Sequence, residues 1–221
     1  MKIPWALEWS AYVATAAALA GFTFGAARWR QLARGQRVLT LWLGASAAAD
    51  IATYTLESVL GNTQPIAQIW FVASVVLGLE VLASLQYSGS AALWFRGIGV
   101  AYGLVWAVLA LSVESIHLYS TYASPLQGFV LLGASLAALL RRVAIGRRDF
   151  LDDPAFLVCI AFAAIGLVSA FQTLTAQMLM RQNRDFVAGY YTMSNVINAL
   201  AALVLLTVLR MHAAGSLERH A

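Results

Sequence analysis

Apolar residues fall in seven long, nearly uninterrupted stretches that are separated by short polar segments. A helix needs roughly 20 such residues to cross the ~30 Å hydrocarbon core of a bilayer, whereas a barrel strand needs only about 9–11. The pattern therefore predicts an all-α fold, a polytopic seven-transmembrane-helix bundle. The predicted spans cover about 6–27, 38–60, 66–87, 94–114, 122–142, 155–179 and 187–210.

Composition supports this interpretation. Hydrophobic residues make up 61% of the chain and charged residues 11%, against roughly 45–50% and about 25% in soluble domains. The loops between spans are short, so residues 1–221 are expected to form a single transmembrane domain. Any function must then lie within the bundle or at its rims.

The basic residues predict the orientation, because short cytoplasmic loops of membrane proteins are enriched in Lys and Arg. Eleven of the fourteen lie in alternate loops or the tail, namely Arg28, Arg30, Arg34, Arg37, Arg96, Arg141, Arg142, Arg147, Arg148, Arg210 and Arg219. The N-terminus is thus expected outside and the C-terminus in the cytoplasm, in a plasma membrane of the bacterial inner-membrane type. Orientation also explains the net charge of +4. The expected partners are the bilayer and anionic lipid at the arginine loops, with no nucleic acid.

Small residues recur at four-residue spacing, a pattern typical of close helix packing. They are Ala17, Gly21 and Gly25 in span 1, Gly44, Ala48 and Ala52 in span 2, and Gly99, Gly103 and Ala107 in span 4. We expect these seams to pack inside the monomer. Contact with a protein partner or a second copy is the alternative.

Two carboxylates lie deep in predicted spans: Asp50 in span 2 and Glu80 in span 3. Ionisable groups in hydrocarbon are costly and usually face the bundle interior. Asp50, Thr53 and Glu57 share one helix face, with Tyr54 beside them. Because every Arg lies at a predicted rim, neither deep carboxylate is expected to have a basic partner, and burial then favours the protonated form. A structural hydrogen bond, proton handling and ligand contact all remain open.

Span 7 carries Tyr191, Asn195 and Asn198 along one face, and span 6 carries Gln172 towards its outer end. Together with the polar residues of span 2, they leave two interpretations open, one of which is a polar pocket open to the outer side between spans 2, 6 and 7. The alternative is simple hydrogen bonding between helices, worth only about 0.6–2 kcal/mol per contact.

The sequence lacks the residues that several kinds of catalysis would need inside the bundle. A retinal Schiff base needs a lysine amine inside the bundle, and Lys2 is the only lysine. The histidines His117, His212 and His220 lie in predicted loops or the tail. Asp153 precedes Pro154, an arrangement typical of a helix N-cap. We therefore expect no catalytic residue, no metal ligand and no cofactor.

Three functions remain after these exclusions. The first is a non-enzymatic membrane protein, either a sensor-like module or an accessory subunit of a membrane complex. The second is a small transporter or proton-coupled permease that uses Asp50 and Glu80. An intramembrane enzyme is the third.

The orientation can be tested by labelling single cysteines after Cys159 has been replaced by alanine. A cysteine at Thr63 should react with an impermeant maleimide added outside intact cells. A cysteine at Gly146 should react only after the cells are permeabilised. The reverse pattern would overturn the orientation and the outward direction of the pocket.

Overall fold

A computed structural model describes residues 5–86, 88–113, 122–144, 153–179 and 184–217, except for the side chains at 58, 60, 123, 172–179, 184–187 and 212–217. Within these ranges there are seven α-helices and no β-strand, which confirms the all-α class. The helices are α1 (Trp5–Ala27), α2 (Arg34–Leu60), α3 (Gln64–Ser84), α4 (Gly89–Ser112), α5 (Ala123–Ala144), α6 (Pro154–Leu179) and α7 (Arg184–Leu217). A short 3-10 helix, Trp29–Gln31, lies between α1 and α2.

In the described parts of the chain, six helices are long and apolar enough to cross a membrane, which is the architecture of a helical integral membrane protein. Their apolar segments are Trp5–Ala27, Gln64–Ser84, Gly89–Ser112, Ser124–Ala144, Pro154–Phe171 and Ala188–Met211. The remaining helix, α2, has 27 residues but is less apolar. It carries the charged residues Arg34, Arg37, Asp50 and Glu57.

Local residue chemistry defines several helix ends. The Asp153 carboxylate accepts a hydrogen bond from the backbone N–H of Ala155 at 3.0 Å, which confirms it as the cap of α6. Ser88 caps α4 in the same way, accepting from the Ala91 N–H at 3.2 Å. Helix α2 ends at Gly61, whose φ of 64° lies in the left-handed region that glycine adopts without strain.

The helices form a ring in which α4 takes no part. Helix α1 packs against α2 and α7, α2 against α3, α3 against α5, α5 against α6, and α6 against α7. Helix α4 packs mainly on the outside of α3. Its other faces are exposed, and they include Leu93, Trp94, Leu104 and Leu111.

The arginine-rich end of the ring is filled by a hydrophobic core. Leu39 and Leu43 near the start of α2 meet Phe162 of α6 and Leu209 of α7, and all four are almost fully buried. At this same end, a second cavity of about 160 Å³ lies beside the core and is lined by residues of α2, α3, α6 and α7, including Gln36, Leu39, Ser84 and Val158.

The positions of the predicted small-residue seams do not all pack inside the monomer. In α1, Gly21 and Gly25 face Leu43 and Thr40 of α2, and Gly44 of α2 faces Phe22 of α1. These positions pack inside the monomer as expected. For Gly103 the expectation is wrong, because a Cβ added there would meet no described atom within 4 Å. Open space lies beside Gly103, whereas Gly99, one turn earlier on α4, packs against Leu79 of α3 as expected.

The closest helix contact joins α5 and α6. A Cβ added at Gly128 would lie 2.6 Å from the Cα of Ala170, and one added at Gly166 would lie 2.6 Å from the backbone N of Leu132. These neighbours are backbone atoms, which cannot move aside as a side chain does. The two helices can approach this closely only because both positions lack a side chain.

This contact predicts a sharp difference between two glycines. Gly166→Leu should destabilise the protein by at least about 2 kcal/mol, because the new side chain forces α5 and α6 apart. Gly103→Leu is the matched control and should leave the stability unchanged. Thermal unfolding of both variants in the same detergent measures this, and equal melting temperatures would contradict the packing described.

Candidate functional site: a polar cavity inside the ring

A partly enclosed cavity of about 120 Å³ lies inside the ring, between the hydrophobic core and the end of the bundle that holds the start of α1. All six ring helices line it, and α4 contributes no lining residue. Alanines of α1 and α7 leave the space open. The polar lining residues are Ser46, Asp50, Tyr54, Ser74, Gln127, Ser169, Asn195 and Asn198.

One face of α2 forms a continuous wall of the cavity. Trp42, Ser46, Asp50 and Tyr54 follow one another at four-residue spacing, so each lies about one turn above the last. Trp42 is buried at the inner end, whereas Tyr54 is about half exposed at the other. The wall thus runs from the packed core to an accessible edge.

Asp50 is held in place from α1. The Thr15 hydroxyl donates a hydrogen bond to Asp50 Oδ2 at 3.0 Å and also lies 3.1 Å from the carbonyl oxygen of Ala11. Among the described side chains, no Lys, Arg or His forms an ion pair with Asp50. Asp50 therefore brings a carboxylate to the cavity whose charge no described protein cation balances.

Helix α7 contributes two amides. The Asn195 side-chain N–H donates to the Ser10 hydroxyl of α1 at 3.2 Å. Asn198 Oδ1 is buried and accepts no hydrogen bond from any described group. A buried acceptor without a donor costs free energy, so Asn198 Oδ1 is a position where a water or ligand donor would be stabilising.

The inner end of the cavity is fixed by hydrogen bonds among α2, α3 and α5. The Trp42 indole N–H donates to the Ser74 carbonyl oxygen at 3.0 Å, and the Gln127 amide donates to the Ser74 hydroxyl at 2.6 Å. The Trp42 ring also packs against Trp70 and Phe162, with centroids 5.6 and 5.2 Å apart. This arrangement gives the cavity a rigid, aromatic floor.

The structure brings together four of the residues that the sequence singled out: Asp50, Tyr54, Asn195 and Asn198. Four others do not line the cavity. Thr53 donates to the Ala49 carbonyl oxygen within its own helix, Glu57 is exposed, Tyr191 is half-buried, and Glu80 lies elsewhere. The Gln172 side chain lies outside the described residues.

The expectation that Glu80 lacks a basic partner is wrong. Arg96 donates from Nε to Glu80 Oε2 at 2.7 Å and from Nη2 to Oε1 at 3.0 Å, while Arg34 donates from Nη2 to Oε1 at 3.0 Å. Both arginines stand near the starts of their helices, and their long side chains reach the last turns of α3. Glu80 therefore joins α2, α3 and α4 at the arginine-rich rim.

A second ion pair joins α5 and α6 at the same rim. Arg142 Nη1 lies 3.0 Å from Asp153 Oδ2, and both side chains are nearly buried. Arg142 also donates to the Leu85 carbonyl oxygen just beyond α3. The pair thus connects three ring helices, in addition to the capping role that the sequence indicates for Asp153.

Half of the polar lining residues were not predicted from the sequence, namely Ser46, Ser74, Gln127 and Ser169. The two tryptophans of the floor were not predicted either. A signal existed on α2, because Trp42, Ser46, Asp50 and Tyr54 share a spacing of four. The spacing of Asp50, Thr53 and Glu57 pointed instead to a neighbouring face. No comparable signal ties α3 and α5 to the cavity, since their contributions depend on how the ring closes.

Comparison with known proteins identifies no relative: no protein-family model matches the chain, and neither a curated protein nor a solved structure is significantly similar to it. Within the described ranges, no three or more His, Cys, Asp or Glu residues are grouped so as to hold a metal ion. The geometry of the cavity is therefore the basis for a functional hypothesis.

The two ion clusters should contribute unequally to stability. Asp153→Asn keeps an N-cap but removes the carboxylate charge paired with the nearly buried Arg142 side chain, and breaking a buried ion pair typically costs about 3–5 kcal/mol. Glu80→Gln should cost less, because Arg34 is largely exposed and solvent screens the pair. Thermal unfolding of both variants tests this, and a larger loss for Glu80→Gln would contradict it.

Proposed function

We propose that this protein is a non-enzymatic seven-helix sensor module of the plasma membrane that binds a small polar molecule in the central cavity. The observation that carries the proposal is the cavity lining, to which all six ring helices contribute. The cavity lining holds one carboxylate among amides, hydroxyls and indole rings. Acid–base catalysis by a pair of titratable groups would need a second such group, so this lining suits ligand binding better.

Helix connections support a seventh crossing by α2. With a rise of 1.5 Å per residue, its 27 residues extend about 40 Å, more than the ~30 Å hydrocarbon core. Residues 28–33 precede it and 61–63 follow it. At about 3.3–3.6 Å per residue, neither segment is long enough to cross the membrane, so α2 makes the return crossing between α1 and α3.

The size and position of the cavity favour a small ligand that influences helix packing. A volume of about 120 Å³ is below the roughly 300–1,000 Å³ of pockets for drug-sized molecules. Such a ligand contacts α1, α2 and α3 on one side and α5, α6 and α7 on the other. A ligand that binds one spacing of these helices better than another shifts the equilibrium between them.

An output partner would contact α4. This helix lies outside the ring and exposes the large apolar side chains of Leu93, Trp94 and Leu104, which lipid or another membrane protein can cover. An accessory-subunit role uses the same surface. The orientation with the C-terminus in the cytoplasm places the arginine loops beside anionic lipid.

A proton-coupled permease is the second candidate, and Asp50 is the observation that favours it. A carboxylate without a described cationic partner can exchange protons with a cavity. Transport would also require a path through the arginine-rich end, where Leu43 and Phe162 are fully buried. A sensor requires no such opening.

Filling the cavity should abolish binding. Ala14 lines the cavity, so Ala14→Phe should remove the space, whereas Ala16→Phe on the exposed face of α1 is the matched control. In a thermal-shift screen of small polar solutes, a solute present at 100 times its Kd should stabilise the native protein and Ala16→Phe by about 2.7 kcal/mol. It should not stabilise Ala14→Phe.

Two results would contradict the proposal. One is a screen without any stabilising solute, and the other is equal stabilisation of Ala14→Phe. Proteoliposome uptake separates the two candidate functions: a stabilising solute that accumulates under a proton gradient, with the accumulation abolished by Asp50→Asn, identifies a permease.

A further inference from the structure

We infer that the ligand of the central cavity is a small organic cation that carries N–H donors, such as a primary ammonium group. This inference rests on the proposed function and names the ligand class of the same cavity. Three features carry it: the Asp50 carboxylate, the Asn198 carbonyl oxygen and the tryptophan floor.

The charge of the cavity is the first step. Asp50 is the one carboxylate of the described lining, and no Lys, Arg or His is among the described lining residues. An ionised carboxylate inside a low-dielectric bundle is unfavourable unless a cation balances it. The arginines near α3 do not serve this purpose, because they are bound to Glu80 and Asp153 at the rim. A cationic ligand can provide this balance in place of the proton that a buried carboxyl otherwise carries.

The hydrogen-bonding groups are the second step. Three N–H groups of the cavity already have protein acceptors: Trp42 donates to Ser74, Gln127 donates to Ser74, and Asn195 donates to Ser10. In contrast, Asn198 Oδ1 is a buried acceptor without a described donor. Asp50 accepts only from Thr15 among the described groups. These two acceptors are available to a ligand that carries donors, and an ammonium group supplies three.

The aromatic floor is the third step. Trp42 and Trp70 both line the cavity, and tryptophan is the side chain whose ring face attracts cations most strongly. The Trp42 N–H is already bound to the Ser74 carbonyl oxygen, so a ligand contact with Trp42 would be made with its ring. A small aliphatic stem beside the ammonium group also fits against Ala14, Ala18 and Ala202.

The test compares three probes of similar size that differ in the charge of the head group: propylammonium, propanol and propionate. Binding is followed by tryptophan fluorescence and melting temperature in nanodiscs of zwitterionic lipid, where the membrane does not attract cations. Propylammonium should bind about 10-fold or more tightly than propanol, and propionate should bind most weakly. Ala14→Phe should abolish this binding, which assigns it to the cavity.

Two carboxylates of α2 provide a matched pair of variants. Asp50→Asn retains an oxygen that can accept from Thr15 but removes the charge, so it should weaken propylammonium binding by about 10-fold or more. Glu57→Gln removes a carboxylate from an exposed position seven residues further along and should leave the affinity unchanged. Asn198→Ala removes one acceptor and should weaken binding by a smaller factor. Far-UV circular dichroism and size-exclusion profiles like those of the native protein verify that each variant is folded.

Each contrary outcome has a distinct meaning. If propanol or propionate binds in the cavity as tightly as propylammonium, or if Asp50→Asn retains full affinity, the cation inference is wrong while the proposed binding function stands. If none of the three probes binds, the cation inference is wrong, and the wider solute screen with Ala14→Phe decides the proposed function separately.

Discussion

A polar side chain in the hydrocarbon layer is stabilised when it faces the protein interior and finds a partner there. This constraint organises the whole ring. Asp50 meets Thr15 of α1, Asn195 meets Ser10, and Gln127 meets the Ser74 hydroxyl. These contacts join α1 to both α2 and α7 and join α3 to α5, and the cavity lies where their polar faces converge. The same inward orientation that satisfies the polar groups therefore also creates the candidate binding site.

The carboxylates at the arginine-rich rim and the carboxylate inside the ring have different partners. At the arginine-rich rim, Glu80 and Asp153 are paired with arginines whose long side chains reach them from neighbouring helices. Deeper in the ring, Asp50 has a hydroxyl partner but no described cation. Paired carboxylates connect helices and contribute to structure. A carboxylate without a protein cation leaves a charge that a ligand or a proton can balance.

Helix α4 lies apart from the helices that form the candidate binding site. Six helices close around the cavity, and α4 lies outside them against α3. The tightest packing is within the ring, where Gly128 and Gly166 bring α5 and α6 into backbone contact. A ring with one rigid helix pair and one peripheral helix has distinct places for ligand binding and for contact with lipid or a partner. This division is consistent with a sensor whose ligand and output surfaces are separate.

The sequence by itself determined the helical class, because backbone groups in hydrocarbon must be satisfied within each long apolar segment. It also identified Asp50, Tyr54, Asn195 and Asn198, since polar residues inside such segments stand out against their surroundings. It did not determine the pairing of Glu80 with Arg96 and Arg34 or the open space beside Gly103. The contributions of Trp42, Trp70, Ser74 and Gln127 were likewise decided only by the tertiary structure. Those features depend on which helices are neighbours and how each is rotated about its axis, and long-range packing fixes both after the individual helices have formed.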